Sequence, residues 1–294
     1  MKRRIESTTS RTAELTCLSR AASTMEKNPC YHSDDFIAPL LLPGGFKTFM
    51  RVPLSRRLFM KLFAPQGIYE YVIARTKYID AVFKQALSER FDQGLIFGAG
   101  FDTRAIRFHE LNKTTQIYEL DISTTQQAKI GQYQKRGVTA PPELHYIPID
   151  FDKESLPEKL DEAGFEKGKR SLFLMEGLLM YLQPASVMQT FQTIRNYAGR
   201  GSLIVFDYVK ASVIHSKGGN FGETEIVKMV SGAGESWFFG IEKGKIEQFL
   251  AGYSMRLVDH KDAEKLEETY FTGSTGKLIA PINGTHCLVT AEKN

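Results

Sequence analysis

Three acids and a pair of glycines stand at the ends of apolar runs, where a chain of this kind can do chemistry. The glycines lie in Leu95–Arg107, which reads LIFGAGFDTRAIR. Leu95, Ile96 and Phe97 form a short apolar run suited to a buried parallel strand. Gly98, Ala99 and Gly100 break it, and a residue without a Cβ lets the backbone turn tightly against a bulky ligand. Asp102 or Thr103 can cap a helix that starts there. Strand, glycine turn and helix in this order build a nucleotide site at the carboxyl end of a parallel sheet. The dinucleotide fingerprint asks for a third glycine. Thr103 stands in its place, so the glycines alone are an incomplete signal.

The acids come next. Ile117–Asp121 reads as a second strand ending in a carboxylate, and Asp121 follows Gly98 by 121 − 98 = 23 residues. An acid at about that distance is placed to accept hydrogen bonds from a ribose diol. Glu119 shares the strand face and is the rival, but Asp121 is nearer the carboxyl end. A turn or cap role is the plain alternative for Asp121. Glu176 ends a later apolar strand, Ser171–Met175, and points toward the same crevice; its alternative is a structural salt bridge.

The elements that must position these residues follow a simple rhythm. Strands are expected near 94–98, 116–121, 144–149, 171–176 and 202–208, with helices near 103–110, 123–136, 153–164 and 184–198. Such alternation predicts a doubly wound α/β fold with right-handed crossovers. Ahead of it lie helices expected over Glu14–Glu26, Ser55–Phe63 and Pro65–Leu87. Pro39 weighs against a helix in the apolar run Phe36–Leu42. Lys210–Gly240 breaks the rhythm, is rich in glycine and holds the single Trp237, so it reads as an insertion or lid. A helix over Ile241–Ala251 and strands over Ser254–His260 and Gly284–Ala291 close the chain. The organisation is an N-terminal helical cap over 1–90 and a core over 91–294, with the insertion at about 210–240.

LIFGAGFDTRAIR, YELD and MEGLLMYL together resemble the leucine carboxyl methyltransferase family, whose bacterial members include polyketide O-methyltransferases. The resemblance runs from about Arg11 to the C-terminus and is weak in the substrate-facing segments. It implies a class I, Rossmann-like methyltransferase with a mostly parallel seven-stranded sheet, one antiparallel strand, and S-adenosylmethionine as cofactor. It also implies that the N-terminal helices lie over the cofactor crevice. By this resemblance Arg75 clamps the methionine carboxylate, with Arg20 as a second basic partner. A guanidinium suits that task because it matches a carboxylate with two parallel hydrogen bonds. The alternatives are a surface ion pair of Arg75 with Asp80 or Glu70, and a solvated helix face for Arg20. Gly98, Ala99 and Gly100 hold the turn, and Asp121 takes the ribose. Asp150 and Phe151 resemble an Asp-Leu pair that meets the adenine, with Phe in place of Leu; Asp150 or Asp152 can instead cap a helix. Glu176 approaches the methionine portion of the cofactor.

Methyl transfer from a sulfonium is an in-line displacement on a donor already activated by its charge. The acceptor is expected to be a hydroxyl or carboxylate of a small molecule. Carboxyl methylation of a protein C-terminus, a nicotinamide-dependent oxidoreductase and a binding-only protein are the alternatives. A carboxylate needs no base, whereas a phenol or alcohol can use one, and Tyr181, Tyr208 and His215 are candidates, each with packing or exposure as its plain alternative.

Composition narrows the partners. The net charge of +4 over 294 residues is mild, and no basic run interleaves with aromatics, which argues against nucleic acid. No apolar stretch has the length of a membrane span. Lys2-Arg3-Arg4 leads into serine and threonine, so Met1–Thr12 is expected to be a frayed tail and not a secretory signal. Cys17, Cys30 and Cys287 are scattered and odd in number, which points to unpaired thiols in a reduced, cytoplasmic setting. The six histidines show no metal-ligand spacing.

Overall fold

The computed structural model describes residues 11–42, 50, 52–215 and 218–294. Most of the expected tail lies outside these residues. The strands are β1 (Gln93–Phe97), β2 (Gln116–Asp121), β3 (Leu144–Pro148), β4 (Ser171–Met175), β5 (Leu203–Lys210), β6 (Gly240–Ile241), β7 (Met255–Lys261) and β8 (His286–Lys293). They form one eight-stranded sheet in the order β3-β2-β1-β4-β5-β8-β7. The strands β1 to β5 run parallel, and β8 is antiparallel to both β5 and β7. The path thus has the seven strands expected. The eighth, β6, is a two-residue strand pairing with Val209 and Lys210 at the end of β5. Two residues carry too little alternation to show in a sequence.

Register brings the separate motifs together. Phe97 pairs with Leu120 on one side and with Met175 on the other. Three parallel strands therefore end level, and the next residue of each is Gly98, Asp121 or Glu176. Asp121 in turn pairs with Pro148, so Asp150 lies just past the neighbouring strand end. β1 and β4 are buried along their whole length, as expected of central strands covered on both faces.

Two apolar clusters cover the sheet faces. One joins the N-terminal helices Arg11–Ser23 and Ile68–Ser88 to the sheet through Ala22, Ile73, Ile79, Phe83, Ile96 and Leu174. The other packs helix Pro184–Tyr197 through Val187, Phe191 and Ile194 against Phe97, Phe173 and Phe206. Several helices are shorter than expected: Arg104–Arg107, Leu156–Glu162 and Ile246–Ala251. Pro39 does not prevent a helix, because Ala38–Leu41 carries it in the first turn, where a missing N–H costs nothing. Two helices, Ala211–Ile214 and Glu223–Gly232, stand among the described residues of the stretch Lys210–Gly240, where the glycines suggested irregular chain. Ile226 and Val230, four residues apart, pack on Ile68 and Val72 of the long N-terminal helix. Helix Ala263–Tyr270, unforeseen in the sequence, is capped by Asp262, whose side chain accepts from the Lys265 amide at 3.2 Å. Among the described residues no helix is long and apolar enough to cross a membrane.

Candidate active site

A cavity of about 630 Å³ opens over the level ends of β1, β2 and β4. Gly98, Ala99, Gly100, Asp121, Asp150, Phe151 and Glu176 line it, together with Arg20 and Arg75 from the N-terminal helices. Gly98 and Gly100 have φ of 58° and 50°. That left-handed conformation suits glycine, and a Cβ on Gly98 would also sit 2.9 Å from Leu178. Asp121 braces the turn: one carboxylate oxygen accepts from the Gly100 amide at 2.5 Å, the other from Ile122 at 2.7 Å. Burial pushes this carboxyl up, and the two amide donors pull it back. The rival Glu119 is buried elsewhere, on the Lys129 ammonium at 2.6 Å. Burial pushes its carboxyl up to about 7 against the pull of that lysine.

Under the cavity runs a chain of buried ion pairs. Arg20 donates to Asp35 at 2.6 Å and to the Phe101 carbonyl at 2.6 Å. Asp35 meets Arg107 at 3.3 Å, and Arg107 grips both oxygens of Asp80 at 2.8 Å. Asp80 also accepts from Arg104 at 2.8 Å, and Arg104 reaches Asp102 and, at 2.7 Å, Glu176. Glu176 lies 3.0 Å from Arg75, which donates to Asp207 at 2.7 Å. Asp207 further accepts from the Tyr71 hydroxyl at 2.9 Å and from the Gly177 amide at 2.6 Å. Burial alone would raise the Glu176 carboxyl, but Arg104, Arg75 and Arg20 hold it down to about 2.

This arrangement sets aside several of the plain alternatives. Arg75 does not pair on the surface with Asp80 or Glu70. It is buried, Asp80 serves Arg104 and Arg107, and Glu70 accepts from Tyr31. Arg20 is no solvated residue either, being 4% exposed. Asp150 forms an Asx turn, accepting from the Asp152 amide at 3.1 Å, and pairs with Lys153 at 3.3 Å. The helix that follows is capped by Ser155 and not by either aspartate. The Phe151 ring packs 6.0 Å from Phe97.

Of the three candidate bases, only Tyr181 reaches the cavity. Its hydroxyl is pushed up to about 12 by burial and stays protonated at neutral pH. Tyr208 is buried away from the cavity, with its hydroxyl 3.0 Å from His260. His215 is exposed at the end of helix Ala211–Ile214, outside the cavity wall. Strand-end position misled for Tyr208, because side chains alternate and this one faces the opposite side. Sequence reading missed Tyr71, Trp237 and His286, which line the cavity, and Asp207, which holds Tyr71 and Arg75. Asp207 had a usable signal: a lone acid inside the apolar run LIVFDYV needs a buried partner.

The donor set suits a nucleoside bearing an amino acid. A carboxylate at the β2 end can take a diol, buried guanidinium groups can take a carboxylate, and Glu176 can take an ammonium. Comparison with known proteins agrees. The model for "Leucine carboxyl methyltransferase" matches residues 13–195. The "Putative S-adenosyl-L-methionine-dependent methyltransferase YktD" of Bacillus subtilis is 28% identical over 208 residues, 71% of this chain and 68% of that protein. A protein of Mycolicibacterium vanbaalenii with the same description is 28% identical over 207 residues, 67% of this chain and 65% of its own length. Among solved structures, the magnesium protoporphyrin IX methyltransferase of Synechocystis aligns with 82% of this chain and 95% of its own, at TM-score 0.47 and 8% identity. A likeness that distant says nothing of the chemistry. With more than half its length matched by the family model, the chain belongs to the leucine carboxyl methyltransferase family and, by that membership, is an S-adenosylmethionine-dependent methyltransferase.

Proposed function

We propose that the protein transfers the methyl group of S-adenosylmethionine to a hydroxyl or carboxylate oxygen of a small molecule. The observation that carries this reading is the continuity of the cavity. It passes from the acids and arginines of the sheet ends to a wall of Tyr71, Tyr181, Trp237 and His286. Its volume falls within the range of small-molecule sites and suits a compact acceptor.

In this reading the cofactor supplies an electrophilic methyl, and the protein aligns and shields it. Arg75 and Arg20 hold the amino-acid carboxylate, and Glu176 holds the ammonium. Asp121 accepts from the ribose, Asp150 and Phe151 flank the adenine, and the Gly98–Gly100 turn gives the backbone its close approach. The buried ion-pair chain holds four arginines against five carboxylates: Asp35, Asp80, Asp102, Glu176 and Asp207. One negative charge is left over, which favours a ligand with a net positive charge.

Titration calorimetry with S-adenosylmethionine and with NAD tests the cofactor, and binding of NAD alone would reject the reading. Incubation with phenolic, carboxylic and peptide acceptors, read by product mass, tests the acceptor. Methylation confined to peptide C-termini would replace the small-molecule reading.

Asp121→Ala separates the ribose role from general loosening. Loss of hydrogen bonds to a charged acceptor costs about 1.5 kcal/mol or more, so affinity for S-adenosylmethionine falls at least about tenfold. Wild type is expected to bind adenosine better than 2′,3′-dideoxyadenosine, and the variant to bind them alike. A preference that survives in the variant removes Asp121 from the ribose.

A further inference from the structure

We propose that His286 is the general base of the transfer, and that the acceptor it serves is an aromatic hydroxyl. This rests on the methyltransferase reading above and selects within it. His286 opens β8, pairs with Val209 of β5 and lines the cavity at its aromatic end. Tyr71 stacks on its ring at 4.5 Å with 28° between planes. Trp237 meets the ring edge-to-face at 5.5 Å and 89°. The imidazole is thus fixed on two sides.

A hydrogen-bond relay fixes its tautomer. The Asn283 amide nitrogen donates to the Gln66 carbonyl at 2.9 Å, and its carbonyl oxygen accepts from the Thr285 amide at 3.2 Å. The orientation of that amide is therefore set at both ends. The Thr285 hydroxyl also lies against the same Asn283 oxygen, which has no hydrogen to give. Thr285 must spend its single proton there. Its oxygen, 2.7 Å from His286 Nδ1, can then only accept, so Nδ1 carries the ring proton. Nε2 is left as a bare lone pair, with no protein partner among the described residues.

The neighbouring phenols do not compete. Tyr71 gives its proton to Asp207, and burial holds both Tyr71 and Tyr181 protonated. Burial lowers His286 to about 4, with Asp207 raising it and Arg75 and Lys210 lowering it. The ring is neutral at any pH near 7, so Nε2 is open to the acceptor O–H; the same burial makes it a weak base, which takes the proton only as the oxygen commits to the methyl carbon. As the acceptor O–H breaks, its proton passes to Nε2. The oxygen forms its bond to the methyl carbon while the methyl–sulfur bond breaks, and that bond's electron pair stays on sulfur. One positive charge leaves sulfur as one arrives on imidazole, so the net charge of the cavity does not change. Tyr71, Trp237 and Tyr181 give this part of the cavity wall aromatic faces and edges, which suit an aromatic acceptor through offset and edge-on contacts. A carboxylate needs no base and would leave this relay without use.

Two measurements test this. Long-range proton–nitrogen correlation on protein with labelled histidine reads the tautomer directly, without cofactor. A proton on Nδ1 and a bare Nε2 at pH 7 are expected; the opposite tautomer, or an imidazolium, overturns the proposal. Methylation of 2-naphthol and 2-naphthoate is then compared in wild type and His286→Asn. Asparagine can keep a donor for Thr285 while removing the base. Wild type is expected to methylate 2-naphthol. The variant should lose about 100-fold in kcat, in line with typical general-base contributions, with S-adenosylmethionine Kd within about threefold. Its residual rate should climb about tenfold per pH unit between 6 and 8, where wild type is flat, because the naphthol must now ionise unaided. An undiminished variant overturns the proposal, as does a wild type that methylates only 2-naphthoate or neither probe. Glu235 also lines the cavity, and loss of activity in Glu235→Gln while His286→Asn stays active overturns the proposal and moves the base there. Failure to bind S-adenosylmethionine at all sinks instead the reading beneath it.

Discussion

Arg104→Met is expected to lower unfolding stability by about 3–5 kcal/mol, the usual cost of removing one partner from a buried charge network. Arg104 is fully buried and touches three carboxylates: Asp80, Asp102 and Glu176. Methionine fills much of its volume but leaves those acids short of a cation. Little of their surface meets water, so they stay charged at a cost or take up protons. Urea denaturation followed by circular dichroism reads the loss, and a change below about 1 kcal/mol would show the network to be replaceable at this point. The same network dictates acid behaviour. Glu176 is held down to about 2 from its ordinary 4.5. A carboxylate depressed on folding contributes stability that is present above the unfolded value and lost as pH falls through the folded one. Stability should therefore fall between about pH 4.5 and 2, by on the order of 3 kcal/mol from this group. In Arg104→Met that window narrows, because the strongest attraction on Glu176 has gone.

How much of this was legible in the sequence follows from how far apart the interacting residues lie. Gly98, Asp121 and Glu176 could be read because each directly follows an apolar strand, and parallel register does the rest. The partners of Arg75 could not. Local spacing offers Glu70 and Asp80, whereas Asp207 comes from a strand 132 residues away. Only the packing of helix Ile68–Ser88 onto the sheet decides between them, and that helix is buried on more faces than a simple stripe predicts. His286 was invisible for a related reason. Its value as a base depends on Thr285, Asn283 and Gln66, which set its tautomer, and on Tyr71, which fixes its ring. None of these has a motif. Helix Glu223–Gly232 hid behind its flanking glycines, since glycine frequency marks turns but says nothing of the apolar pair Ile226 and Val230 between them.

Arg75→Lys is expected to weaken S-adenosylmethionine binding about 100-fold while sparing ligands that lack its carboxylate. Arg75 is buried, and two of its nitrogens already face protein acids: Nη1 on Asp207 and Nε near Glu176. The Nε contact is short but poorly aligned, so it acts as a charge contact more than a hydrogen bond. Nη2 has no protein acceptor among the described residues and belongs to a side chain that lines the cavity. In the proposed role one fork spans the protein's acids on one side and the ligand's carboxylate on the other. Lysine carries the same charge but a single nitrogen on a flexible stem. It can satisfy Asp207 or reach the carboxylate, not both, and a lost charge-assisted hydrogen bond costs about 1.5–3 kcal/mol. Calorimetry with four ligands reads this. S-adenosylmethionine and S-adenosylhomocysteine should both lose affinity, whereas adenosine and methylthioadenosine should bind variant and wild type alike. In wild type the first pair should also slow amide exchange in helix Ile68–Ser88, because the new contact opposes its local opening. Equal loss across all four ligands would mean that Arg75 serves the fold through Asp207 and Glu176 and does not read the carboxylate.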